Sequence, residues 1–550
     1  MFSSLNVFCI LWVLMFVLYY PAAKAGFVTD FTGWLDQVQN HSFNEYINRT
    51  NFTAVSLYQV TQFNTWVFYK LFGINPWLWH LLFITLHVIN ATLLFALFTR
   101  ILIDAGVKGS HGISFAGALL FSLSPYISEV VVWMPAFHFL QGLLFILLIL
   151  VWAQKYIHRG NKKYVWWAGI VYLLSTHTLE VFYITPWLIL TLALFYNWQL
   201  TDKKAITKIL LLFFLPELIM FSLRLAEFRV LYGGWVSRIG TGAVANAQLS
   251  SLGKPAKYLF HLLCLGRFFQ LDTRQMVYTF CDSLKGIISF YTVIGIICLY
   301  IALRFRSMLG KARVASLLFI WVLITFILLL PLWFGDILLV IYDRYTYFTN
   351  AFFYMLLSVL AAFITMHYIR LTVVAIYALV NLRYAIQVSR YWGKAYKIDN
   401  ALLTNLPDPG NKIIVLLNIP ESMHGIPMIG SQKESEYKLM HNLIVPAKKL
   451  ENTVYDGLSY NLLTPTDGAH VTVLNDSMVR VTLNQWGTWW WYESFGGHSY
   501  ENPDYNLNMI DGGHFYEITL KKPSAQYLLL YQVGDKWKVV DMNKKNVEQD

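Results

Sequence analysis

Long apolar runs separated by short charged connectors fill the first 390 or so residues, and the pattern changes beyond them. A helix needs roughly 17–25 mainly apolar residues to cross a bilayer. Such runs lie at 4–20, 76–98, 112–125, 138–154, 164–179, 181–197, 205–225, 283–303, 315–335, 346–365 and 370–389. The pattern thus predicts about eleven transmembrane helices, with 112–125 the shortest. Segment 256–272 (AKYLFHLLCLGRFFQLD) is apolar but interrupted by His261 and Arg267, and reads as a surface or re-entrant helix. After residue 391 the long runs stop and alternation begins. HVTVLNDSMVRVTLN (470–484) predicts a hairpin turning around Asn475-Asp476, and YLLLYQVGDKWKVV (527–540) one turning at Gly534-Asp535. The expected fold class is a polytopic α-helical membrane bundle over 1–390, followed by a small β-rich extracytoplasmic domain over 391–550.

Charge sets the orientation, because short cytoplasmic loops carry the excess of Lys and Arg. Loop 155–163 holds Lys155, Arg159, Lys162 and Lys163; loop 202–208 holds Lys203, Lys204 and Lys208; loop 304–313 holds Arg304, Arg306, Lys311 and Arg313. With about eleven spans all three fall on one side, which puts the N-terminus inside and the C-terminus outside. The first run reads as an uncleaved helix, since no positive charge precedes it. Ala23-Lys24-Ala25 resembles a signal-peptidase site, and cleavage there leaves the rest of the topology unchanged.

Composition narrows the class further. The 550 residues are 57% hydrophobic and 13% charged, against about 25% charged in a soluble domain, which excludes a soluble globule. The four cysteines (Cys9, Cys264, Cys281, Cys298) have neither metal-type spacing nor the density of a disulfide framework. No nucleic-acid partner is implied. The net charge of +11 fits either ordinary basic loops or anionic partners such as membrane lipids.

Position separates those readings. The outward segment 226–285 carries Arg229, Arg238, Lys254, Lys257, Arg267, Arg274 and Lys285, and Arg344 sits in a further outward loop, YDRYTYF (342–348). Singly, such residues snorkel to headgroups. As a group they suit a phosphate-bearing lipid, for which Arg offers a bidentate fork. Outward carboxylates are few: Asp30 and Asp36 beyond the first helix, Glu129 in SPYISEVVVWMPAFHF, and Glu180, which closes STHTLE. An ionisable group at a span end is a functional candidate or an interfacial acid, and a carboxylate there suits a general base. Trp489, Trp490 and Trp491 form either a sugar platform, or a β core or a belt resting on the membrane interface. Strand alternation sets Trp490 opposite Trp489 and Trp491. His177 and His261 lack a second ligand at helical spacing and read as core or interfacial side chains, so no metal site is assigned. Asn40, Asn48 and Asn51 begin glycosylation-type triplets that arise readily by chance.

Four stretches resemble a known family. LFGINPWLWHLLFITLHVIN (71–90) is similar to a motif of the TMTC-type protein O-mannosyltransferases and their bacterial relatives in the GT-C glycosyltransferase superfamily, with Asn75, Pro76, His80, His87 and Asn90 matching. The loop at 124–130 keeps Pro125, Glu129 and Val130. LLSTHTLEVFYITP (173–186) keeps Ser175, Glu180 and Pro186, and DRYTYFTNAF (343–352) keeps Arg344, Tyr345 and Tyr347. The resemblance covers roughly residues 1–390. It implies a GT-C bundle whose donor, a polyprenyl-phosphate sugar, serves as co-substrate, with a glycan, lipid or protein as acceptor. By the same resemblance Asp30 is the catalytic base, Glu129 assists, and Arg344 and Arg267 hold the donor phosphate, joined by Lys257 and Arg274. Glu180, Asp36, His80 and Tyr345 support them, and Trp489 and Trp491 would meet the acceptor. No cofactor is assigned and divalent-metal dependence stays open. Departures are clear: Ser124, Tyr126 and Ser128 replace the family's His and Thr, Leu179 replaces a Lys, Tyr58-Gln59-Val60 lacks an Arg, and a β-rich segment replaces TPR helices. They favour a bacterial inner-membrane relative with its active site and C-terminal domain in the periplasm. Two other classes remain: a lipid-linked sugar flippase and a non-catalytic scaffold.

Overall fold

A computed structural model of the chain describes residues 3–28, 31–46, 59–178, 180–197, 207–208, 210–233, 249–330, 343–430, 435–462, 466–482, 499–510, 515–544 and 548–549. The chain divides into two units. The first comprises Met1–Tyr20, Phe43–Val131 and Ala136–Gln387; the second comprises Pro21–Ser42, Val132–Pro135 and Val388–Asp550.

The first unit is helical, and each apolar run of the sequence overlaps a helix. Among the described residues, six helices are long and apolar enough to cross a membrane: Ser4–Ala22, Pro76–Asp104, Met134–Arg159, Leu284–Arg304, Gly310–Leu329 and His367–Thr404. Ser110–Ser122 with Pro125–Val132 makes a seventh only if this pair, bent by 57°, is one span. Several expected spans are shorter than a bilayer. Lys163–Ser175 has 13 residues and is followed by Thr176 and Thr178, whose hydroxyls turn back to the Leu173 and Leu174 carbonyls at 2.7 and 2.8 Å. Tyr347–Ala361 has 15 residues. Leu215–Tyr232 carries Glu217, Arg224, Glu227 and Arg229, which dilute its apolar character.

Local chemistry sets the helix ends. Asn75 accepts from the Trp77 amide at 3.2 Å, with Pro76 in the first turn where a missing N–H costs nothing. Ser283 caps Leu284–Arg304 by accepting from the Gly286 amide at 3.1 Å. Two helices approach closely at Gly117, where a Cβ would lie 2.7 Å from the Met355 sulfur. The core of this unit includes Trp79, Phe83, Val88, Leu94, Trp321 and Phe352, all at most 1% exposed.

The second unit carries the strands. β1 (Ile413–Met423), β2 (Ile426–Pro427), β3 (Val454–Leu462), β4 (His470–Asn475), β5 (Met478–Thr482), β6 (Tyr500–Glu501), β7 (Tyr505–Ile510), β8 (Phe515–Leu520), β9 (Tyr527–Val533), β10 (Lys536–Val539) and β11 (Glu548–Gln549) form two sheets. One runs β10-β9-β1-β2 with β3 also on β1; the other runs β11-β4-β5-β8-β7-β6. Both expected hairpins form, with β4 antiparallel to β5, and β9 to β10 turning through Gly534 at φ 63°. β1 pairs in parallel with both β3 and β9, so the first sheet is mixed. β1 is buried along most of its length, which explains its continuous apolar run IIVLL. Helix Glu436–Ile444 and the early helix Phe31–Asn40 pack together in this unit.

Candidate functional site: a buried charge cluster

Glu129 lies in the connector between Ser110–Ser122 and Phe137–Arg159, where Ser124 and Pro125 turn the chain and the Ser124 hydroxyl accepts from the Tyr126 amide at 3.3 Å. The carboxylate is 3% exposed. One of its oxygens accepts from the Arg344 backbone N–H at 2.8 Å, and the other is paired with the Arg344 guanidinium. That guanidinium also stacks on the Tyr345 ring, 4.6 Å from its centre, and donates to the Tyr345 hydroxyl at 3.3 Å. A carboxylate clamping both the main chain and the side chain of one residue fixes the direction in which the loop enters Tyr347–Ala361.

The neighbouring residue makes a second pair. Asp343 binds the Arg267 guanidinium, with both side chains nearly fully buried. Burial pushes the Asp343 carboxyl up, and Arg267 pulls it back. Arg267 reaches this position through an unusual turn. Lys254–Cys264 ends at Leu265, which holds φ 55°, a left-handed conformation that a bulky residue adopts at a cost. Gly266 follows because a Cβ there would come within 2.4 Å of the Phe260 ring. The kink turns the chain into Gly266–Phe268 and then Leu271–Asp282.

The two helices flanking this turn bring in the remaining charges. Lys257 pairs with Asp282 at 2.5 Å and lies 5.5 Å from the centre of the Tyr278 ring. The Tyr278 hydroxyl is bonded to His261 Nε2, and the Tyr126 hydroxyl donates to the His261 carbonyl at 2.7 Å. Burial pushes the His261 imidazole down to about 3, with Arg274 and Arg267 acting in the same direction, so the ring is neutral. Arg274, 7% exposed, donates to the Arg267 carbonyl at 3.4 Å. Burial likewise pulls its guanidinium down from the ordinary range.

A third network ties the same loop to the Pro76–Asp104 helix. The Tyr347 hydroxyl lies 2.9 Å from His87 Nδ1 and accepts from Asn90 Nδ2 at 3.3 Å, and Asn90 also donates to the Leu140 carbonyl at 3.0 Å. His80 is buried two turns earlier on that helix.

The structure therefore joins Glu129 with Arg344 and Tyr345, and Arg267 with Arg274; Lys257 stands on the same helix as His261. It also brings in Asp343, Tyr278 and Tyr126, to which sequence reasoning gave no role at a site, and His261, which it read as a core or interfacial side chain. Asp343 was legible in principle, as an acid directly beside Arg344 in an apolar stretch. The tyrosines carried no sequence signal among the 34 of the chain. Asp36 falls in the second unit, where Asn40 donates to its carboxylate at 2.7 Å. Asp30, Leu179, Arg238, Trp489, Trp490 and Trp491 lie outside the described residues, and Glu180 is described in its backbone only. Among the described residues, no group of three or more His, Cys, Asp or Glu side chains gathers as a metal site would require. No known protein family's sequence profile matches the chain, and no characterised protein matches it.

Proposed function

We propose that the chain is an integral-membrane glycosyltransferase of GT-C type, with about eleven spans, that transfers a sugar from a polyprenyl phosphate to an extracytoplasmic acceptor. One observation carries this reading. The loops that the charge pattern assigns to the outer face converge on one buried cluster: Glu129 from one, Arg267 and Arg274 from another, Asp343 and Arg344 from a third. Three of the four stretches that resemble the family meet in it, through Glu129 with Arg344 and through His87 and Asn90 with Tyr347.

In this mechanism Asp30, assigned by the resemblance, takes the proton from the acceptor hydroxyl. The acceptor oxygen attacks the anomeric carbon, the bond from that carbon to the phosphate oxygen breaks, and polyprenyl phosphate leaves with the electron pair. Cationic side chains at the cluster stabilise the charge that develops on the departing phosphate. Glu129 acts as counter-ion and holds Arg344 in place, so its part is positioning. The setting is a bacterial inner membrane, with the cluster and the β-rich unit facing the periplasm.

The test is transfer from a labelled polyprenyl-phosphate sugar in membranes, comparing wild type with Asp30→Asn at matched protein levels. Loss of transfer by at least about a hundredfold is expected for a general base; near-normal transfer sinks the mechanism. Mass spectrometry of surface glycans in a strain lacking the gene then names sugar and acceptor.

A further inference from the structure

One face of the helix His367–Thr404 changes character along its length. Steps of three, four and seven residues bring Ile376, Leu379, Arg383, Arg390, Lys394 and Lys397 onto that face. All six are exposed. The first part of the face is apolar, as a lipid-facing surface is; the last part is basic. Behind the basic part Trp392, Ala395, Ile398 and Leu402 are buried, so packing holds the cations outward. Among the described residues Arg390, Lys394 and Lys397 meet no carboxylate. Asp399, the nearest acid along the chain, is buried on the opposite side of the helix.

The helix itself marks where it leaves the membrane. Arg370 and Arg383 are about 20 Å apart along its axis, and with both side chains reaching outward they bracket a hydrocarbon layer of about 30 Å. The headgroup layer beyond is roughly 5–8 Å deep. Arg390 lies about 10 Å past Arg383 and Lys397 about 20 Å past it. The row therefore starts at the edge of the headgroups and climbs clear of them. Outward segments ordinarily carry few Lys and Arg, so topology does not call for these cations.

Three cations in a single row do not converge on one point, as a compact anion requires. They suit a linear polymer with repeated negative charge, and a row that rises from the bilayer suits a chain anchored in it. A neutral chain leaves the row unused, and a metal ion is repelled by it. We propose that Arg390, Lys394 and Lys397 form a docking surface for an anionic glycan anchored in the outer leaflet, the acceptor of the sugar transfer proposed above. The inference rests on that reading for the side of the membrane and for the role of the glycan; the row itself rests on the helix.

The experiment measures binding of fluorescent polygalacturonate to the full-length protein in phosphatidylcholine nanodiscs. Wild type should bind it, less tightly as salt rises, and should not bind neutral dextran. The triple variant Arg390→Gln, Lys394→Gln, Lys397→Gln removes only exposed side chains, so it should melt with wild type while binding at least about fivefold more weakly. A control triple variant, Lys162→Gln, Lys163→Gln, Lys208→Gln, changes net charge equally at exposed positions elsewhere and should bind as wild type does. Equal weakening in both triple variants overturns the proposal, because overall charge then explains the binding. Tighter binding of polyglutamate at equal charge overturns it in favour of an acidic protein. A stabilisation of wild type by phosphatidylglycerol that the first triple variant lacks overturns it in favour of bilayer headgroups. In intact cells Lys394→Cys should gain labelling by a membrane-impermeant maleimide over wild type; no gain puts the row on the inner side and ends the proposal. Asp30→Asn separates the two levels. Normal transfer there removes the glycosyltransferase mechanism and leaves a glycan-binding surface, whereas lost transfer with intact polygalacturonate binding supports both.

Discussion

Two regions of this molecule bury polar groups to a similar depth and treat them differently. In the second unit, Asn418 on β1 and Gln532 on β9 are fully buried and serve each other. Asn418 donates to the Gln532 carbonyl at 3.2 Å and accepts from its amide at 2.7 Å, and the Tyr460 hydroxyl donates to the Gln532 side chain at 2.8 Å. In the first unit, the cluster around Asp343 and Arg344 matches three cations to three carboxylates, while among the described residues Arg274 meets only the Arg267 carbonyl and His261 Nδ1 has no hydrogen bond. A closed network rigidifies its surroundings; a partly satisfied one leaves polar capacity unspent at a cost in stability. The two differ in how their polar groups are served, at a similar depth of burial.

The comparison can be broken at several points. The largest effect belongs to Glu129→Gln, which leaves Arg344 buried without its counter-charge and should cost about 3–5 kcal/mol in unfolding free energy. The double variant Glu129→Leu with Arg344→Leu should recover most of it, because the pair as a whole contributes little net stability. A single-variant loss under about 1 kcal/mol would show that water reaches the pair. Next comes Asn418→Ala, which strands the Gln532 amide and should cost about 2–3 kcal/mol in unfolding free energy. A loss under about 1 kcal/mol would show that water serves Gln532 in place of Asn418.

The pH dependence is smaller. His261 titrates near 3 in the folded protein and near 6.5 unfolded, so its contribution to stability is full above pH 6.5 and is lost as pH falls toward 3. In that window it should account for up to about 1.4 kcal/mol per pH unit. The test is the difference between the wild-type and His261→Gln melting curves, which removes the titration of Asp343 and every other shared acid. A constant difference across pH 4–8 would mean that the imidazole titrates alike in the folded and unfolded protein. Smallest of all, Lys257→Met should change stability by no more than about 1 kcal/mol, since Asp282 is 22% exposed and water screens the pair.

Some of this was readable from residues alone. Hydrophobic length marked the positions of the helices, and turn chemistry at Gly534 marked a hairpin, because both depend on neighbours in the chain. Glu129 and Arg344 stood out separately because charge is scarce in apolar surroundings. Their pairing was not readable, since 215 residues separate them and nothing local encodes a contact across helices. The lengths of the short helices were not readable for a related reason. Apolar content decided the spans from sequence, whereas Thr176 and Thr178 end one of them by bonding backward. His261 was read as a core side chain, which it is by burial; the unused nitrogen emerges only when its neighbours are known.

The adjacency of Asp343 and Arg344 has one more consequence. Opposite charges at consecutive positions, each matched to its own distant partner, work like a two-pin key. Were the segment to dock one residue out of step in one direction, an arginine would face Arg267; in the other, an aspartate would face Glu129. Either misalignment sets like charges against each other in a dry interior, where repulsion is least screened. The loop thus verifies its own alignment as it docks, and only the alignment that passes places Tyr347 against His87 and Asn90.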